Sequence, residues 1–291
     1  MNEWLILSGK GGTGKTTVAS AFIHLSQVDA YADCDIDAPN LHLTTGNHEN
    51  PVRIPFYGME KALINQEKCY RCGLCRAHCR FHAINLVNHQ YVIDTHACEG
   101  CAVCTLVCSA DAIDMVKQQG GVISQYKNQN RFVTATLTMG SQHSGLLVSE
   151  VKKQLYASYD SIFSIIDGSP GIGCPVQASM VGSKLGIFVT EPSESGYSDL
   201  MRLIEMAQKY RLEFTVIINK ADISEVLTKK ITQMCQDNHI FLAGVIPYDN
   251  TCSKAINLGK SVIEYESPAS NAIKEIYLKL MNKYNNKIKG E

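Results

Sequence analysis

Two sets of residues in this 291-residue chain have the types and the spacing to do chemistry. The first lies in SGKGGTGKTT, residues 8–17, where Gly9, Gly14, Lys15 and Thr16 satisfy the pattern G-x-x-x-x-G-K-[ST]. In such a loop backbone N–H groups cradle phosphates, the lysine reaches the β- and γ-phosphates, and the hydroxyl holds Mg²⁺. Gly11, Gly12, Thr13 and Thr17 fill out the stretch, and Lys10 is one lysine more than the pattern requires. The second set is eight cysteines. LINQEKCYRCGLCRAHCRFHAINLV (63–87) laid over VIDTHACEGCAVCTLVCSADAIDMV (92–116) matches Cys69 with Cys98, Cys72 with Cys101, Cys75 with Cys104 and Cys79 with Cys108, always 29 residues apart. The spacing C-x2-C-x2-C-x3-C suits cubane [4Fe–4S] clusters: three close thiolates wrap one cluster and the fourth cysteine reaches the other. That gives one set of Cys69, Cys72, Cys75 and Cys108, and a second of Cys98, Cys101, Cys104 and Cys79. The alternative metal, zinc, usually takes separated C-x2-C pairs.

The elements that must position these residues follow from hydrophobic pattern. EWLILS (3–8) is a short apolar run ending at the glycine loop, which predicts a buried parallel strand. A helix is expected from Lys15 to about residue 27, and a strand in VDAYADCD (28–35). PNLHLTTG and the proline-bounded PVRIPFYG then lead out of the domain. Residues 60–117, with the cysteine duplication, form an inserted unit. Beyond it strands are expected at 121–126, 132–137, 161–167, 185–190, 214–219 and 240–246, with helices near 144–157, 196–209 and 224–237. Strands alternating with helices of this length predict an α/β fold: a mainly parallel sheet with helices on both faces. Three segments result, 1–59 and 118–291 as the two parts of a nucleotide-binding domain and 60–117 as the insert. Near the end, Ile273, Ile276, Leu280 and Tyr284 recur at helical spacing and are expected to pack on the sheet rather than on a membrane.

Bulk properties narrow the function. A formal net charge of −1 gives no general attraction for nucleic acid or an anionic membrane, and no apolar run approaches the roughly 20 residues needed to cross a bilayer. MNEWLILSGKGG enters the phosphate loop at once, leaving no room for a signal peptide, so a cytoplasmic protein is expected. Twelve cysteines in that compartment favour metal or redox chemistry over disulfides.

GKGGTGKTT resembles the deviant phosphate loop of the MinD/ParA/Mrp and nitrogenase iron-protein superfamily of ATPases. The resemblance implies that Lys10 crosses a dimer interface to the partner's nucleotide, as an arginine finger does. DCDIDAPNL (33–41) is similar to the family's first switch, which implies that Asp35 orients the attacking water and Asp33 lies near Mg²⁺. IIDGSPGIG (165–173) resembles the second switch, with Asp167 holding Mg²⁺ through water alongside Thr16. Ser169 stands where the family has the first of two prolines, which implies a looser switch. IINKADI (217–223) and VIPYD (245–249) resemble the base-binding segments, with Asn219 on the base edge and Pro247 in the late loop. The insert resembles a bacterial two-cluster ferredoxin, except that Arg80 and Ser109 replace the proline after each fourth cysteine. Arg71, Arg76 and Arg80 either raise the potential of the first cluster or are solvated surface charges. Cys174, seven residues past Asp167, stands at the spacing of a cysteine that ligates a dimer-bridging cluster in the nitrogenase iron protein; it is that or a structural thiol. Cys34, Cys235 and Cys252 are expected to be core thiols.

The implied cofactors are therefore ATP, Mg²⁺ and two [4Fe–4S] clusters. The implied assembly is a homodimer or a heterodimer with a paralogous ATPase, with no nucleic acid and no stable membrane insertion. Two functions follow, since a third, MinD-like spatial organisation on a membrane, lacks a basic, strongly amphipathic anchor set apart from the fold. One couples ATP hydrolysis to electron transfer through the clusters, with a redox donor or acceptor protein as partner. The other is an ATP-dependent carrier or scaffold delivering clusters or metal cofactors to an apo-protein client.

Overall fold

The computed structural model describes residues 2–46, 49–127, 130–157 and 163–288, the last four of these for backbone only. In chain order the elements are β1 (Asn2–Ser8), α1 (Lys15–Ser26), β2 (Ala30–Asp33), β3 (Val52–Tyr57), β4 (Lys61–Ile64), α2 (Leu74–Ala77), β5 (Ile84–Val87), β6 (Gln90–Ile93), α3 (Val103–Leu106), β7 (Ile113–Val116), β8 (Gln119–Lys127) and β9 (Arg131–Leu137). Then come α4 (Ser144–Tyr156), β10 (Phe163–Pro170), α5 (Cys174–Met180), β11 (Leu185–Thr190), α6 (Glu194–Lys209), β12 (Glu213–Asn219), α7 (Glu225–Asp237), β13 (Leu242–Ile246), α8 (Asn250–Asn257) and α9 (Pro268–Ile288). Residues 161–162 of the expected strand 161–167 lie outside the described residues.

The chain divides into two compact units. The first holds residues 1–54, 123–136 and 145–291, and the second holds 55–122 and 137–144. The main sheet has nine strands in the order β13-β12-β11-β1-β10-β2-β9-β8-β3. β1 runs parallel to both β10 and β11, and the pairs β10–β2, β2–β9, β11–β12 and β12–β13 are parallel too. β1 and β11 are buried almost throughout, as a sheet covered on both faces demands. The strand order turns outward in both directions from β1, so the loop after β1 opens at the switch point where parallel sheets bind ligands. The segment 52–57, expected as a connection, is instead edge strand β3. Pro55 is tolerated there because an edge strand has a side with no ladder bond to lose.

α1 is buried along most of its length, and Phe22 packs its ring against Trp4 of β1 and Tyr277 of α9, at centroid distances of 6.1 and 5.5 Å. Ile273, Ile276, Leu280 and Tyr284 of α9 lie in the same core cluster, so this stripe is spent on the sheet's own core. Among the described residues no helix is long and apolar enough to cross a membrane.

Glu3 of β1 is buried with Lys152 of α4, at 2.9 Å. Tyr156 and Ser183 also donate to the Glu3 carboxylate, and the Lys152 ammonium donates to the carbonyls of Ser179 and Val181, both at 2.7 Å. Every partner is thereby satisfied. Lys152→Ala would leave a buried carboxylate without its counter-charge, and is expected to lower unfolding stability by about 3–5 kcal/mol, read from urea denaturation.

The second unit shows the sequence duplication as geometry. β4 and β6, α2 and α3, and β5 and β7 begin and end 29 residues apart. β4 pairs with β7 and β5 with β6, each antiparallel. Left-handed backbone recurs at the same offset, at Arg71 and Gly100, Gly73 and Ala102, and His82 and Asp111. The repeat is therefore one backbone form used twice, including conformations that Arg71 and Ala102 adopt against ordinary steric preference.

Candidate functional site

In the first unit the loop between β1 and α1 opens on a cleft of about 330 Å³. Gly11, Gly12, Gly14, Lys15, Thr16, Thr17, Asp35, Asn219 and Pro247 line it, together with Asn40, Lys220, Tyr248 and Cys252. Gly12 and Gly14 have φ of 81° and 90°, so side chains at either position would be strained. A Cβ on Gly14 would also lie 2.2 Å from the Asn219 amide nitrogen. The loop delivers the chain into α1 at Lys15, so the helix N-terminus, with its unpaired N–H groups, faces the cleft.

Behind the glycines is a charged cluster. Lys15 Nζ lies 2.7 Å from Asp167 Oδ1 and 3.8 Å from Asp35, and Thr16 donates to Asp167 Oδ2 at 2.7 Å. Burial favours neutral Lys15, but the fields of Asp167, Asp33 and Asp35 outweigh it and hold the ammonium above its ordinary pKa. Burial raises the Asp35 pKa, against the pull of Lys15. Asp167 and Asp35 against one ammonium leave surplus negative charge, which with the Thr16 hydroxyl suits a divalent cation.

Three of the expected residues spend polar atoms on the chain itself. Asp33 is not exposed to the cleft. Its carboxylate accepts N–H bonds from Asp35, Asn40 and Leu41, each at 2.9 Å, and so braces the first switch; burial, then Asp167, pushes its pKa up to about 7. Asn219 lines the cleft, but its amide donates to the Thr13 carbonyl at 2.7 Å and accepts from the Lys220 N–H. It braces the phosphate loop with the atoms expected to meet a base. Ser169 does not loosen its switch: its hydroxyl donates to the Cys34 carbonyl at 2.5 Å, while the Cys34 N–H donates to the Asp167 carbonyl at 2.7 Å. A proline could not make the first of these ties.

Gly9 and Lys10 stand outside the cleft lining. A Cβ on Gly9 would fall 2.5 Å from Asp199 of α6. The Lys10 ammonium, which the resemblance directs to a partner's nucleotide, sits within this chain on Glu191 at 2.7 Å and donates to Ser195 and Ser193 at 2.9 and 3.2 Å. Glu191 also holds Lys220 at 3.0 Å, and Lys220 donates to the Gly12 carbonyl at 2.8 Å. Burial would raise the Glu191 pKa, but the hydrogen bonds of Lys10 and Lys220 keep it below the usual value. Neither Glu191 nor Lys220 was legible as a loop partner, because only the folded sheet brings them to it.

In the second unit two apolar-walled cavities take up the cysteines. Cys69, Cys72, Cys75 and Cys108 line one, among Ile64, Leu74, Val107 and Ile113. Cys79, Cys98, Cys101 and Cys104 line the other, among Ala62, Ile84, Ile93 and Met115. The grouping is the crossed one. Cys72 and Cys101 are exposed, whereas Cys75 and Cys98 are buried. Ala83 and Ala112 donate their N–H to the sulfurs of Cys79 and Cys108, both at 3.4 Å. Burial raises the Cys104 thiol pKa, with further contributions from Cys98, Cys101 and Cys75 of the other set, so the two sets lie within electrostatic reach. Among the described residues no group of three or more His, Cys, Asp and Glu side chains is arranged to hold a single metal ion; the four thiols of each set surround a space. Arg71, Arg76 and Arg80 are all exposed, which answers to solvated charges.

Of the remaining cysteines, Cys34 and Cys235 are buried and burial raises their thiol pKa, Cys235 to about 11. Cys252 is half-buried: it packs against the main core cluster and also lines the cleft wall. Cys174 is exposed at the start of α5, with Gly145 against its backbone.

Comparison with known proteins agrees with this fold. A family model described as the CobQ/CobB/MinD/ParA nucleotide binding domain matches residues 4–262. An uncharacterized protein of Methanocaldococcus jannaschii is 32% identical over 279 residues, 94% of this chain and 95% of its own length. An iron-sulfur cluster carrier protein of Pyrococcus horikoshii is 32% identical over 168 residues, which cover 50% of this chain and 55% of that protein. Among solved structures, the septum site-determining protein MinD of Pyrococcus horikoshii, complexed with Mg-ADP, aligns with a TM-score of 0.60 at 20% identity, over 98% of both chains.

Proposed function

Because the chain belongs to the CobQ/CobB/MinD/ParA nucleotide-binding family, we propose that it is an ATP-dependent iron–sulfur carrier, whose nucleotide cycle governs delivery of [4Fe–4S] clusters to apo-protein clients. The observation that carries the reading is the pair of four-thiol cavities, each with one buried, two half-buried and one exposed ligand, the exposed one being Cys72 or Cys101. Sheltered thiols retain a cluster, while an exposed ligand is open to exchange with a client's thiolate. The likeness to cluster carriers over half the chain supports the same assignment.

In the nucleotide site each residue has a chemical part. The α1 N-terminus and the backbone of Gly11, Gly12 and Gly14 bind phosphate. Lys15 exchanges its contact with Asp167 for phosphate oxygens, and Thr16 and Asp167 are left to hold Mg²⁺. Asp35, at the cleft wall, orients water for attack. Lys10 acts across a dimer of two such chains, or of this chain and a paralogue. When bound, MgATP supplies the free energy of its phosphoanhydride bond.

A second reading, ATP-coupled electron transfer, is favoured by one observation: Cys79 and Cys108 each line the cavity of the opposite repeat, so the two sites are built from interleaved segments, as a relay requires. A transfer assay separates them. Anaerobically reconstituted chain is mixed with an apo-enzyme that needs a [4Fe–4S] cluster for activity, with and without MgATP. A carrier activates the client, and MgATP changes the rate severalfold. Retention of all iron, with an ATP turnover that depends on the redox state of the clusters, would replace the carrier reading with the relay.

A further inference from the structure

The 29-residue repeat makes the two cysteine cavities alike, but their charged surroundings differ. Lys61 on β4 is only 8% exposed and its ammonium donates to the carbonyl of Cys98. Among the described residues no carboxylate forms an ion pair with it. The repeat-related position holds Gln90, which is neutral and exposed. Among the described residues, the first cavity therefore has no buried charge at the position equivalent to Lys61.

A buried ammonium without a counter-ion is costly. Four thiolates around an iron–sulfur cluster supply net negative charge beside it, and one more negative charge when the cluster is reduced. A nearby buried cation favours the more negative form, because Coulomb energy gains strength as water is excluded. Arg71, Arg76 and Arg80 do not match this effect at the first cavity, since solvent and salt screen exposed charges. Glu99 lines the second cavity and opposes Lys61, but it is half-buried and so more screened.

We propose that Lys61 makes the two sites unequal, so that an electron given to the protein settles first on the cluster held by Cys79, Cys98, Cys101 and Cys104. The inference rests on the two-cluster reading above. In the step, a low-potential donor loses one electron and the cluster gains it; no bond is made or broken and no proton moves. Lys61 is a positioning residue, acting through charge on a ligand it touches.

The test is a redox titration of the anaerobically reconstituted full-length chain, followed by electron paramagnetic resonance, with iron determined on every sample. Wild type is expected to show two resolved one-electron steps. Lys61→Met and Lys61→Gln shift the higher step downward and leave the lower one in place, closing the gap, while Lys61→Arg restores it. Cys101→Ser, which changes a ligand of the second set, perturbs that same higher step. Coincident steps in wild type, or neutral variants with full iron and unmoved steps, overturn the role of Lys61 alone. Wild type that takes up no iron overturns the cluster reading with it.

Discussion

Lys10→Ala is expected to leave nucleotide affinity within about threefold while lowering ATP turnover about a thousandfold, the lower range for loss of a trans-acting cation. The structure explains why the two quantities separate. Lys10 does not line the cleft, so its removal takes nothing from the ground-state phosphate site. Its ammonium sits at the N-terminal end of α6, held by Glu191 and by Ser193, whose hydroxyl also caps that helix by accepting the Gly196 N–H. The positive end of a helix dipole is an unfavourable place for a lysine. Glu191 offsets that cost, so the lysine is restrained chiefly by one carboxylate that it shares with Lys220. Glu191→Gln is therefore expected to act in the opposite sense, raising turnover severalfold at protein concentrations where dimers are scarce. Lys10→Ala on top of it should abolish the gain. Turnover measured across a protein dilution series, beside binding of a fluorescent nucleotide, reads all three variants. Wild-type turnover in Lys10→Ala would exclude a role in trans.

Legibility in the sequence followed the range of the interactions involved. The phosphate loop and the cysteine repeat are local devices, in which φ at Gly12 and Gly14 or thiol spacing within a few residues decides the structure. Both lie in the chain where their motifs place them. The buried strands were legible for a similar reason: β11, at 185–190, is apolar on both faces and agrees residue for residue. Edge strand β3 was not, because an edge needs no continuous apolar run and its proline reads as a break. The partners of side chains within the chain were the least legible. Asp33, Asn219 and Ser169 stand at family positions, yet each spends its polar atoms on backbone brought in from elsewhere: Leu41, Thr13 and Cys34. Glu191 and Lys220 had no motif at all. Long-range pairing brings them to the loop, and single-sequence pattern does not encode it.

The crossed arrangement of cysteines yields the other large effect, and double variants expose it. With two clusters the reconstituted chain holds about eight iron atoms, and loss of a ligand such as Cys72 is expected to reduce this to about four. Cys108 belongs to the opposite repeat in sequence but lines the same cavity as Cys72. Cys72→Ser with Cys108→Ser should therefore cost no more iron than either alone. Cys79 belongs to the same repeat as Cys72 but lines the other cavity. Cys72→Ser with Cys79→Ser should remove both clusters and leave almost no iron. Ligation within each repeat predicts the reverse: about four iron atoms for the 72/79 pair and almost none for the 72/108 pair. Serine retains near-native volume, and each cavity keeps its apolar walls, including Ile64 and Ile113 in one and Ile84 and Ile93 in the other. Iron per chain, with circular dichroism to confirm that the sheet is intact, distinguishes the two patterns without any assay of activity.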